Sequence, residues 1–300
     1  MTDFTTATRL LAAEEEAPAT KVRGYWQNVG YRLRYDYVTL AFALVIVLIV
    51  AMAVFAPWIA PKDPYKTSMA FRLRPVGFRD FHLGTDELGR DILSRLIHGG
   101  RMSLLMGVVP VVFATLIGGF LGVLAGFIGG KLNMAIMRTM DVFYAFPSIL
   151  LAVAISGAMG GGMMNGMVAL TLVFIPPLCR IAETATTQVR GLDFVEAARA
   201  SGGSTRSIIA THILGNVLGP IFIYASGLVS VSILIASGLS FLGLGVEPPH
   251  PDWGLMLSTL RQSIYVNPIV CALPGVMIFV TSLAFNMVSD GLRQAMDVRL

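Results

Sequence analysis

Five stretches of the chain carry no Asp, Glu, Lys or Arg: Tyr37 to Pro61, Met102 to Gly130, Val142 to Cys179, Ser207 to Val246, and Gln262 to Ser289. An α-helix crosses the hydrocarbon core of a bilayer with about 20 apolar residues, and an Asp, Lys or Arg at its centre costs roughly 2.5–3.5 kcal/mol. Each stretch therefore predicts at least one span. The third is too long for a single crossing, and "GAMGGGMMNG" (157–166) interrupts it with glycines and Asn165 that permit a reversal, so it predicts two. The fourth has His212, Asn216, the Gly219-Pro220 pair and the "SFLGLG" turn towards its ends, leaving one span from Val217 to Ser240. The expected fold is an all-α integral membrane protein with six transmembrane helices.

Composition agrees. Of 300 residues 55% are hydrophobic and 13% charged, with a mean hydropathy of +0.72, and a water-soluble domain of this size needs more charge to cover its surface. The pattern divides the chain into an N-terminal tail (1–36), a first helix plus an extracytoplasmic segment (37–100), a core of five helices with a polar loop at 180–215 (101–290), and a C-terminal tail (291–300). The N-terminal tail mixes Glu14, Glu15 and Glu16 with Arg9, Lys21, Arg23, Arg32 and Arg34, has no apolar core of signal-peptide length, and reads as solvated. The net charge of +4 does not point to nucleic acid, because most basic residues flank spans. Lys and Arg in short loops place both termini, the 131–138 loop and the 180–206 loop in the cytoplasm. Segment 57–101 is then external despite Lys62, Lys66, Arg72, Arg74, Arg79, Arg90, Arg95 and Arg101, which Asp63, Asp80, Asp86, Glu87 and Asp91 offset only in part.

Several chemistries are poorly supplied. Cys179 and Cys271 lie in apolar surroundings far apart and read as packing residues, and His212 has no second His or Cys at ligand spacing, so no metal site is expected. "AGFIGGKL" is not a phosphate loop, since Leu132 stands where magnesium needs Ser or Thr. No charged residue falls at mid-membrane depth, which disfavours an ion-coupled carrier or channel acting alone. Gly118, Gly122, Gly126 and Gly130 form a ridge at every fourth position, suited to close helix packing inside this chain or, as the weaker alternative, to a subunit contact. Ser237, Ser240, Thr281, Ser282 and Asn286 are polar candidates for lining a pathway, although interhelical hydrogen bonding is their ordinary role. The "GVEPPHPDWG" segment reads as extended and external, with Trp253 near the lipid headgroups.

The most distinctive polar stretch contains "VEAARASGG" (195–203). Asp193 followed by Glu196 has capping-box spacing, Ala197, Ala198 and Ala200 keep the helix thin beside Arg199, Gly202 and Gly203 suit a left-handed exit, and Ser204 or Thr205 can cap a second helix. From the residues alone, an amphipathic connector lying on the bilayer accounts for this segment as well as a docking helix does.

"EAARASGGSTRSIIATHILGN" resembles the EAA loop of membrane subunits of binding-protein-dependent ABC importers: Glu196, Ala197, Ala198 and Gly202 match, while Gly215 stands where the family has proline. "HLGTDELGRDILSRLIHGGRMSLLMG", "SFLGLGVEPPHPDWGLML" and "AFNMVSDGLRQAMDVRL", the last with Val298 in place of a usual proline, resemble the C-type subunit of the dipeptide/oligopeptide permease branch. The resemblance implies the type I importer (MetI-like) permease fold and no enzymatic activity in this chain. It implies a coupling helix at 190–205 and, as partners, a homologous second permease subunit, two ATP-binding subunits that hold ATP and magnesium, and an extracytoplasmic solute-binding protein delivering peptide near the 245–254 segment. It leaves open whether the cargo is a dipeptide, a longer peptide, glutathione or a metal chelate.

Overall fold

The computed structural model describes residues 25–265 and 267–296, and among these the regular structure is helical. Arg9, Glu14, Glu15, Glu16, Lys21, Arg23 and Val298 lie outside the described residues. Part of the expected tail is ordered: α1 spans Tyr25–Tyr35 and carries Arg32 and Arg34 in its last turn. Asp36 then starts α2 (Tyr37–Val54) by accepting from the Thr39 amide at 3.1 Å. α3 (Ala56–Ile59) is a single turn, and an irregular segment leads from it to α4 (Ile92–Ile128). α2 is anchored at Thr39, which sits where a Cβ on Gly291 would be, 1.8 Å from the Thr39 Oγ1.

α4 has 37 residues and begins ten positions before the predicted Met102, because Asp91 caps it through the Ser94 amide at 2.8 Å. It extends about 55 Å, longer than the hydrocarbon core of a bilayer. The glycine ridge packs it against α7 (Met163–Arg190) within this chain. A Cβ on Gly118, Gly122 or Gly126 would lie 2.7, 2.2 or 2.6 Å from the carbonyl oxygens of Ile175, Cys179 and Glu183, which recur every fourth residue on α7. Gly130 is not part of this ridge: it starts α5 (Gly130–Tyr144) at φ +58° with open space around it.

The expected 131–138 loop is therefore helical, and the expected third span beginning at Val142 is not a straight helix. α5 and α6 (Ser148–Ala158) meet at 88°, and only as a bent pair are they long and apolar enough to count as a sixth span beside five straight candidates. Pro147 explains the break, since it removes an amide donor and disfavours helical geometry at Phe146. The reversal at 157–166 is present: Gly160, Gly161 and Gly162 have φ between +72° and +91°, and the Asn165 amide donates to the carbonyls of Met159 and Gly161.

The fourth span also begins earlier than expected. α9 (Thr205–Ile208), a π-helical turn (Ile209–Ile213) and α10 (Leu214–Phe241) form one continuous helix, with Gly219-Pro220 inside it and not at its end. α11 (Trp253–Leu260) and α12 (Pro268–Met296) complete the chain, so helix reaches well into the expected C-terminal tail. Trp253 is not at the lipid interface. It is fully buried, and its indole N–H donates to the Leu96 carbonyl at 2.9 Å.

Candidate functional site

The EAA segment forms α8 (Asp193–Ala200), directly after α7, which continues to Arg190 through much of the expected loop. Leu192, and not Asp193, takes the N-cap, and no side chain caps this end. The capping box is absent because Asp193 is already inside the first turn. Asp193 and Glu196 still place negative charge at the positive end of the helix dipole. The exit has the expected chemistry: the Gly202 amide donates to Arg199 and the Gly203 amide to Ala198, at 2.9 and 3.1 Å, the paired bonds of a Schellman turn. Only Gly202 is left-handed, at φ +80°. Gly203 is needed for closeness, since its Cβ would sit 2.8 Å from the Ala198 carbonyl. Ser204 caps α9 through the Ser207 amide.

α8 is held from beneath and open above. Val195 is fully buried, Ile208 is nearly so, and the Arg199 guanidinium lies 5.1 Å from the centre of the Phe127 ring at the end of α4. Leu192, Phe194, Glu196, Ala197 and Ala200 are exposed, and Ala198 is half-buried. Two residues that sequence reasoning missed complete this end: Phe194, whose ring lies 6.2 Å from that of His212, and Arg190, which donates to the Gly126 carbonyl at 3.3 Å. Val195 three residues before Ala198 is the helical spacing that could have identified the anchoring face. The Asn133 amide joins α5 to α7 by donating to Glu183 at 2.7 Å. α8 is thereby connected to α7, which packs on α4 along the glycine ridge, and through the π-helical turn to α10. Gly215 lies in that continuous helix with open space around it, so loss of the family proline leaves the join helical.

The other end of α4 is built differently. Arg90 pairs with Asp86 at 2.7 Å and Glu87 at 3.0 Å, and Arg95 lies 3.4 Å from Asp86. Arg95 also donates to the carbonyls of Pro64 and Pro249, tying the 57–101 segment to the Pro-rich segment. Ser103 donates to Asp252 at 2.6 Å, and Asp252 caps α11 through the Leu255 amide. Burial pushes the Asp252 carboxyl above its usual range, opposed by these hydrogen bonds. Burial, reinforced by Asp86, also raises the Glu87 carboxyl. The two motifs that carried part of the resemblance thus meet in one buried polar assembly.

Of the pathway candidates, Ser237 and Ser240 are buried in packing. Gly254 fits only because its absent Cβ would lie 2.3 Å from the Ser237 carbonyl, and the Ser240 hydroxyl accepts from the Val246 amide. Ser282 donates to the Ser230 carbonyl at 3.1 Å, an interhelical bond, while Thr281 bonds within its own helix. Only Asn286 is exposed. His212 is half-buried and its carbonyl accepts from Asn216. Among the described residues no cluster of His, Cys, Asp and Glu could hold a metal ion, and both cysteines are free and buried.

Five straight helices, or six spans counting the bent pair, are long and apolar enough to cross a membrane, which is the build of a multi-pass membrane protein. The chain belongs to the family of binding-protein-dependent transport system inner membrane components, whose model matches residues 118–300, while residues 24–75 match the N-terminal transmembrane domain of oligopeptide transport permease C. It is 41% identical over 284 residues to the di/tripeptide transport system permease protein DppC of Pseudomonas aeruginosa (strain UCBPP-PA14), covering 93% of this chain and 92% of that one. The glutathione transport system permease protein GsiD of Pectobacterium atrosepticum is 39% identical, with 93% of each chain covered. The probable D,D-dipeptide transport system permease protein DdpC of Escherichia coli (strain K12) is 36% identical over 96% of this chain and 97% of its own. The inward-facing MetNI methionine ABC transporter shares the fold, with a TM-score of 0.56 at 20% identity over 68% of this chain and 96% of that one. The chain is accordingly a C-type permease subunit of an ABC importer and not an enzyme.

Proposed function

We propose that this subunit imports peptides, with its termini and α8 in the cytoplasm and α8 seated in a cleft of an ATP-binding partner. The single observation that carries this reading is the exposure of Glu196, Ala197 and Ala200 on a helix whose one fully buried side chain is Val195. Small side chains let a partner surface approach the helix closely, and the glycine-packed α4–α7 pair passes its displacement into the spans. The names of the relatives, which carry di- and tripeptides, D,D-dipeptides or glutathione, support a peptide cargo. A homologous second permease, two ATPases holding ATP and magnesium, and an extracytoplasmic binding protein complete the assembly, and this chain needs no cofactor of its own. Binding of ATP draws the coupling helices together and opens the pathway outward, and hydrolysis resets it. Carrying such an equilibrium from 1:99 to 99:1 needs about 5.5 kcal/mol of differential binding, so the cleft must hold α8 differently in the two states.

The test is uptake of a labelled dipeptide into proteoliposomes containing the whole assembly and its binding protein. ATP-dependent, vanadate-sensitive uptake is expected. Uptake sustained by a proton gradient without ATP would instead assign an ion-coupled carrier.

A further inference from the structure

Segment 57–101 carries eight cations, and the transport mechanism above uses none of them. The fold consumes three. Arg90 pairs with Asp86 and Glu87, Arg95 with Asp86, and Arg101 donates to the carbonyls of Ala53 and Val54 at 2.5 and 2.7 Å. The other five, Lys62, Lys66, Arg72, Arg74 and Arg79, share their stretch of chain with two acids, Asp63 and Asp80. Among the described residues none of the five forms an ion pair, and all but Lys62 are exposed.

Three of the five are mounted on aromatic rings. Phe71 lies 6.1 Å from Phe78 and 5.7 Å from Phe81, centre to centre, so the three rings make one platform. The Lys62 ammonium stands 3.3 Å from the centre of Phe81, the Arg74 guanidinium 5.0 Å from that of Phe78, and the Arg79 guanidinium 5.4 Å from those of Phe71 and Phe78. Two guanidiniums therefore share one phenyl ring with no carboxylate paired to either, and an anion placed between them relieves their repulsion. The backbone is unusual here too. Leu73 and Arg79 are the only non-glycine residues among those described with left-handed φ, at +52° and +49°, and they bracket the Arg74–Phe78 stretch.

The platform is tethered close to the bilayer. The span α2 ends at Val54, and beyond it Phe55, Trp58 (78% exposed) and Ile59 present bare apolar side chains, as aromatic residues do at the level of lipid headgroups. Lys62 follows Trp58 by four residues, at most about 14 Å of chain. Met69 and Val76, on the same stretch as the arginines, are exposed apolar residues as well. We infer that residues 62–80 dock on the membrane surface and bind the phosphate of an anionic phospholipid. Arg74 and Arg79 donate to its oxygens, while Met69 and Val76 enter the headgroup layer. Bare apolar side chains beside the cations, and the short tether to Trp58, favour a lipid over a soluble phosphate or an acidic protein surface. The inference needs only that α2 crosses the bilayer, and stands whether or not α8 couples to an ATPase.

The experiment is titration of the intact permease assembly, in uncharged detergent, into fluorescently tagged phosphatidylglycerol or phosphatidylcholine, followed by fluorescence anisotropy. Tighter binding of phosphatidylglycerol is expected, weakened about fivefold by Arg74→Gln or Arg79→Gln and about 25-fold by both, since each cation at the headgroup level contributes about that factor. Should the double variant fail to fold, the parent decides: added salt screens exposed charge and weakens phosphatidylglycerol binding while leaving phosphatidylcholine unchanged. Equal affinity for the two lipids, unchanged phosphatidylglycerol affinity in the double variant, or no effect of salt overturns the inference. Displacement of the lipid by an equal concentration of glycerol 3-phosphate would assign the arginines to a soluble phosphate and also overturn it. So would a double variant that keeps its lipid but no longer captures the solute-binding protein, which would assign the surface to that partner. Because no nucleotide is present, a negative titration leaves the coupling role of α8 untouched, and failed ATP-driven uptake leaves the lipid titration intact.

Discussion

The two ends of α4 face opposite demands. At its start, Asp86, Arg90, Arg95 and Asp252 are almost wholly buried and are paired or hydrogen-bonded within the chain. At its finish, Leu192, Phe194, Ala197 and Ala200 of the α8 region are exposed, although apolar groups are the ones that gain most from burial. The first end satisfies its buried charges within this chain, whereas the second presents small and apolar side chains that nothing among the described residues covers.

That contrast can be broken at graded points. The most damaging change lies in the seam joining the ends: Gly122→Leu would drive a side chain into the Cys179 carbonyl, 2.2 Å from where its Cβ must sit. Loss of the folded subunit from the membrane is expected, scored by immunoblot, and normal levels would show that the seam is not rigid. Arg95→Ala strips a buried partner from Asp86 and from two carbonyls, and should cost about 3–5 kcal/mol, read as a large fall in melting temperature in detergent. Asp252→Asn should cost about 1 kcal/mol and should also change the pH profile. Because burial raises this carboxyl in the folded state, its contribution is present below its usual range and is lost as pH rises through the elevated value. The difference in stability between parent and Asn variant should therefore shift over that window, and a pH-independent difference would contradict the assigned cause. At the α8 end, Glu196→Lys should move stability by no more than about 0.5 kcal/mol yet abolish uptake. Gly215→Ala has the smallest expected effect on transport, which is retained, while the subunit is stabilised by up to about 1 kcal/mol.

The features legible in the sequence were those set by local pattern. Apolar runs located the spans, the ridge of Gly118, Gly122 and Gly126 marked the face of α4 open to close packing without naming α7 as its partner, and Gly202 located the end of α8. Features set by tertiary contact were not legible. The 88° bend at Pro147 lies in an unbroken apolar run, where hydropathy gives no sign of direction. Trp253 reads as an interfacial anchor until Leu96 is seen to accept its N–H. Ser237 and Ser240 read as pathway candidates until Gly254 and Val246 are found against them. The Asp193 cap failed by one residue, because a backbone helix can begin at Leu192 without a side-chain cap and the sequence cannot tell N-cap from first turn.

The central claim, that α8 is the open end awaiting an ATPase, is tested most directly by a single cysteine at Ala197. Both native cysteines are buried, so an introduced thiol reports alone. In intact membranes the account predicts a cross-link from position 197 to the ATP-binding subunit whose yield changes when ATP is added. Labelling of that cysteine from the extracytoplasmic side, or cross-linking to lipid alone, would contradict it.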